Sequence, residues 1–82
     1  MEYYTYIIKS RKNNKHYIGQ TNNIKDRIKR HNNGESLSTK FGVPWTLIHF
    51  EKFKNRSEAV KRERYLKSLK NKNYIEKFII AG

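Results

Sequence analysis

The sequence predicts an α+β fold, a small three-stranded, mainly antiparallel sheet flanked by about three helices in the order β-β-α-β-α-α, as a single domain over residues 1–82. Three observations predict it. Two runs of β-forming residues lie close together at the start of the chain and read as a hairpin. Two later segments carry inward residues at spacings of three and four, the period of a helix face. The length of 82 residues suffices for one modest hydrophobic core and leaves none for a second domain.

Residues 3–9 are rich in Tyr, Thr and Ile, and alternation puts Tyr4, Tyr6 and Ile8 on one strand face and Tyr3, Thr5 and Ile7 on the other. Residues 11–15 are polar and turn-prone, and Tyr17-Ile18-Gly19 resumes the β pattern. Thr21, Asn22 or Asn23 can cap a first helix whose inward stripe is Ile24, Arg27, Ile28 and His31, and Asn32-Asn33-Gly34 ends it. Residues 35–44 mix Ser, Thr, Gly and Pro without periodicity and read as a loop. A third strand is expected over about residues 45–51, with Trp45, Leu47 and Ile48 filling the core. Asn55 or Ser57 opens a second helix with Ala59, Val60, Glu63, Leu66 and Leu69 on one stripe. Residues 71–73 interrupt that pattern, and residues 74–80 supply a short third helix packed back on the sheet.

Composition narrows the function. No apolar run approaches the 18 or so residues of a membrane span, and the first ten residues do not resemble a signal peptide, so a soluble, cytoplasmic protein is expected. Cysteine is absent, which excludes disulfides, thiolate zinc sites and a cysteine nucleophile, and leaves oxygen or imidazole as metal ligands. Nineteen Lys and Arg against seven Asp and Glu give a net charge of +12, which calls for an anionic partner, nucleic acid first. Charge alone does not separate a nuclease from a passive RNA-binding or ribosome-associated protein. Nothing in the chain asks for an obligate protein partner, and a monomer is expected.

The polar residues on inward stripes carry the chemistry. Glu63 sits amid apolar neighbours, where an unpartnered charged carboxylate is costly; the plain alternative is a helical pair with Lys67 at i+4. Arg27 and His31 lie one turn apart beside Ile24 and Ile28, and each has an ordinary reading, a snorkelling arginine and a satisfied histidine near a helix end. Tyr6 and Tyr17 are equally compatible with aromatic packing in a hairpin, and Gly19 with a place where the backbone needs room.

Tyr4-Thr5-Tyr6, ten intervening residues, then Tyr17-Ile18-Gly19 resembles the paired signature of GIY-YIG nucleases. The second half matches fully; the first keeps the tyrosine, with Tyr4 and Thr5 where the motif has Gly and Ile. Gly19-Gln20-Thr21, the run from Asn23 to Ile28 and His31-Asn32 resemble the family's arginine-bearing segment, and Arg56-Ser57-Glu58-Ala59 with Glu63 resembles its glutamate helix. At the position of an asparagine found in some relatives stands Ile75, with Asn73 nearby. The likeness spans nearly the whole chain and is strongest to the small stand-alone, single-domain bacterial branch, similar to the catalytic domain of the excision-repair incision subunit.

That resemblance implies a metal-dependent DNA endonuclease of low sequence specificity, suited to single-stranded or structured DNA and to repair or recombination, with RNA as a further partner. It implies Tyr6, Tyr17, Arg27, His31 and Glu63 as the catalytic set and Glu63 as ligand of one Mg²⁺ or Mn²⁺. Arg27 would clamp the scissile phosphate with paired charge-assisted hydrogen bonds. Either tyrosine could activate water, provided nearby cations lower a phenol pKa that is ordinarily about 10, and His31 could orient a tyrosine or assist proton transfer. The candidate backbone-binding residues are Lys15, Lys52, Lys54, Arg56, Lys61, Arg62, Arg64 and Lys67, continued by Lys70 and Lys72, against the plain reading of a solvated helix face. Exposed tyrosines, Trp45 or Phe41 beside lysines are candidates to stack unpaired bases. The rival function is a nucleic-acid-binding module of the same fold that does not cut.

Overall fold

A computed structural model describes residues 2–81. Three strands, β1 (Tyr3–Ser10), β2 (His16–Thr21) and β3 (Trp45–Phe53), form one antiparallel sheet in the order β2-β1-β3. The helices are α1 (Ile24–Asn32), α2 (Arg56–Leu69) and α3 (Lys72–Tyr74), and α3 runs on into wider π-type turns over Ile75–Ile80. The fold is therefore the predicted α+β arrangement, with β3 two residues longer than expected and a 3₁₀ turn, Lys40–Gly42, inside the loop.

β1 is central, and Thr5, Tyr6, Ile7 and Ile8 are all buried because both of its faces are covered. On one face Ile7 packs with Ile18, Leu66 and Ile75, beneath Leu69, Ile79 and Ile80. On the other, Tyr6 and Ile8 pack with Trp45, flanked by Tyr17, Ile28 and Leu47. The β1–β3 register slips between Ile7, opposite His49, and Ile8, opposite Leu47, so Ile48 is the extra residue of a bulge.

Side-chain amides start the helices. Asn23 accepts from the Asp26 amide at 3.0 Å and Asn55 from that of Glu58 at 2.9 Å, each satisfying one N–H that the first turn leaves unpaired. Asn32, at the end of α1, is joined to the start of β3: its Oδ1 accepts from the Trp45 amide at 2.6 Å and its Nδ2 donates to the Trp45 carbonyl at 3.1 Å. The Thr5 hydroxyl donates to the Ala59 carbonyl at 2.7 Å and fixes α2 on the opposite face of β1.

Candidate active site

The site is built around the Tyr6 phenol. It projects from the central strand, is 1% exposed, and its hydroxyl lies 2.9 Å from His31 Nε2. His31, buried on α1, uses its other ring nitrogen, Nδ1, to contact Thr39 Oγ1 at 2.7 Å. Tyr17 stands edge-on to His31, with ring centroids 5.1 Å apart. Gly19 is the register partner of Tyr6, and a Cβ there would meet the phenol oxygen at 2.6 Å and Cζ at 2.8 Å. The motif glycine is thus the space across which the Tyr6 ring leans.

Charge around that phenol is organised. Burial raises the Tyr6 pKa first, and Tyr17 adds to the rise; the Arg27 guanidinium opposes it, and Glu63 pushes it further up. Tyr17, Arg27 and Glu63 therefore all act on one oxygen, although they come from β2, α1 and α2. Burial, and then the charge of Arg27, lower the His31 pKa below its ordinary 6.5, so the ring is neutral at pH 7 and offers one donor and one acceptor nitrogen. A cavity of about 260 Å³ opens the site to solvent, lined by Tyr17, Arg27, Arg30, His31, Glu35 and Ser36. Two guanidinium groups facing a phenol and an imidazole suit a phosphate group.

Glu63 is half-buried, and its Oε2 accepts from Lys67 Nζ at 2.7 Å, so the helical pair forms at the same time as the carboxylate acts on Tyr6. Among the described residues no three His, Cys, Asp or Glu side chains gather as a ligand cage. A single hard oxygen ligand fits Mg²⁺, which keeps several waters and is commonly bound through one carboxylate and substrate phosphates.

Lys15, Lys52, Lys54, Arg56, Lys61, Arg64, Lys67, Lys70 and Lys72 are exposed. Arg62 is different: its Nε and Nη2 grip Glu51 at 2.9 and 3.1 Å. Arg56 lies over the Tyr3 ring, and Lys52 pairs with Glu2 at 3.7 Å. Trp45 fills the core as expected and donates its indole N–H to the Thr39 carbonyl at 2.8 Å, which takes it out of the residues that could stack bases. Phe41 is 75% exposed beside Lys40. Ile75 belongs to the core, which accounts for an apolar residue at that position. Sequence reasoning missed Thr39, which sits in an aperiodic loop, and Arg30, whose i+3 spacing from Arg27 was the available signal.

The fold is of the kind found in nuclease catalytic domains, and comparison with known proteins gives the family. The profile of the GIY-YIG catalytic domain matches residues 2–76, and the chain belongs to the GIY-YIG family. Among its relatives, a UPF0213 protein of Clostridium perfringens is 46% identical over 67 residues, covering 80% of this chain and 71% of the relative. The UPF0213 protein YazA of Bacillus subtilis is 38% identical over 78 residues, covering 90% and 78%. The solution NMR structure of a UPF0213 protein from Bacillus halodurans superposes with a TM-score of 0.59 at 28% identity, covering 96% of this chain and 83% of that one. Membership implies nucleic-acid binding on a nuclease fold that generally works with divalent metals. No helix among the described residues is long and apolar enough to cross a membrane.

Proposed function

We propose that this protein is a metal-dependent endonuclease that hydrolyses DNA phosphodiester bonds with low sequence specificity, acting on single-stranded or structured DNA. The observation that carries the reading is the cavity where Tyr17, Arg27 and His31 meet, backed by the buried Tyr6 hydroxyl 2.9 Å from His31 Nε2.

Arg27 faces the cavity and serves as the clamp on the scissile phosphate, its paired donors strengthening as charge grows on the oxygens. Tyr17 lines the same cavity and is the better-placed base for water, whereas Tyr6 is sealed from solvent and its phenol holds its proton more tightly than usual. His31 links the Tyr6 hydroxyl at Nε2 to the Thr39 hydroxyl at Nδ1, and this chain holds the wall of the site in one arrangement. Mg²⁺ or Mn²⁺ held by Glu63 would supply positive charge for the developing phosphate and the leaving oxygen. The two departures from the family motif serve packing: Thr5 bonds α2, and Tyr4 stacks edge-on against Phe50 with centroids 6.0 Å apart.

The test is incubation of purified protein with labelled single- and double-stranded DNA and RNA in Mg²⁺, Mn²⁺ or chelator. Cleavage in metal is expected, lost in Glu63→Ala and Arg27→Ala while binding persists. Undiminished cutting by Glu63→Ala would defeat the mechanism. Wild-type protein that binds but never cuts would establish the non-cleaving module in its place.

A further inference from the structure

A second cavity, of about 450 Å³, lies on the other side of Tyr17. Its floor is apolar, made by Ile18, Leu66 and Ile75, and its rim carries Lys15, Lys67, Lys70 and Lys72. The dipole of α2 accounts for part of this charge, since cations gather favourably at a helix C-terminus. It does not account for Lys15, which arrives from the β1–β2 turn, its backbone N–H bonded to Asn13 Oδ1 at 3.0 Å beside the left-handed Asn14. Nor does it explain why a lysine occupies position 70, where φ is +51° and the helix cap favours glycine. Lys70 thus places a cation on the rim from a left-handed backbone.

A greasy floor between lysines fits an anion with flat or apolar parts. A single polynucleotide strand has that chemistry: its phosphates meet the rim while sugars and bases lie on the floor. A duplex keeps its bases stacked inside and would leave the floor uncovered. Tyr17 lines both this groove and the cavity of Arg27, and Lys67, which pairs with Glu63, stands 6.0 Å over the Tyr17 ring. We propose that the lysine groove is a subsite for one unpaired strand, which passes over Tyr17 from the phosphate held at Arg27. The link to cutting rests on the function proposed above; the binding itself does not.

Binding is measured in EDTA by fluorescence anisotropy, with a fluorescein-labelled oligothymidylate of about 12 nucleotides and a labelled blunt-ended duplex as probes. The variant Lys15→Glu/Lys70→Glu/Lys72→Glu is compared with Lys25→Glu/Lys29→Glu/Lys77→Glu, an equal change of charge at exposed positions elsewhere. The groove variant is expected to weaken oligothymidylate binding at least tenfold. It should also flatten the log–log salt dependence by about 2, three contacts at roughly 0.7 each, and leave duplex binding within about threefold. Equal losses on both probes, or an equal loss in the control variant, would overturn the subsite; a thermal melt of each variant and a triple Lys→Gln version separate either result from misfolding. Because no cutting is needed, wild-type protein that never cuts yet shows this pattern would refute only the proposed function. Wild-type protein that cuts while the groove variant binds normally would refute only the groove.

Discussion

Gly19→Ala gives a test in which the sign of the effect decides. At an ordinary strand position the substitution would stabilise by about 0.4–1 kcal/mol, because alanine has less freedom to lose on folding, and Gly19 has no left-handed backbone to forbid it. Here the new Cβ would stand 2.6 Å from the Tyr6 oxygen, 2.8 Å from Cζ and 3.1 Å from Cε1. The ring is buried, so making room means moving it and stretching its 2.9 Å contact with His31. Overpacking costs about 1–3 kcal/mol, and disrupting a buried hydrogen bond costs about 1–3 kcal/mol more. The expected net loss is about 2–4 kcal/mol, a fall in Tm on the order of 10–25 °C for a domain this small. Urea and thermal unfolding would be measured for Gly19→Ala, Tyr6→Leu and the double variant. With leucine at position 6 the obstacle is gone, and Gly19→Ala should then cost less than about 1 kcal/mol or stabilise. Stabilisation by Gly19→Ala in the wild-type background, or an undiminished cost beside Tyr6→Leu, would refute the account of this glycine.

The two tyrosines are expected to separate kinetically: Tyr17→Phe should lower cleavage about 100-fold or more with substrate binding kept, as loss of a general base does, and Tyr6→Phe should lower it less. The reverse order would move the base to Tyr6. Stability should fall on acidification, because burial lowers the pKa of His31 and of His16 below 6.5, so the unfolded chain takes up protons first. Melting temperatures should therefore drop as the pH passes below 6.5 and level off once the native rings protonate. A further loss belongs below 4.5, where Glu76, held low by Lys9 and His16, and Glu51, held low by Arg62 and His49 against the upward push of burial, are protonated. His31→Gln should flatten the first drop, and a curve that is flat between pH 7.5 and 5 would contradict the neutral ring.

What could be read from the sequence was local. The inward stripes of α1 and α2, the asparagine caps and the hairpin depend on residues within a few positions of one another, and period and capping chemistry expose them. The convergence at Tyr6 combines 25 residues of separation to His31 with a strand register, so the family resemblance, and not spacing, pointed to it. Thr39 gave no sign because its loop has no period, and the grip of Arg62 on Glu51 joins a helix to a strand 11 residues away. Gly19 was legible as a place needing room, but the Tyr6 ring that needs it becomes visible only when β1 and β2 are paired.

The position of β1 between two other strands has one more consequence. A slip of one residue in its pairing would exchange the Tyr6–Ile8 face with the Thr5–Ile7 face. That error would empty both halves of the core and carry the phenol away from His31, Arg27 and Glu63 in the same step. On the function proposed above, a chain that is only partly folded, or folded out of register, therefore has no assembled centre with which to attack a polynucleotide, and quality control over the fold is also quality control over the chemistry.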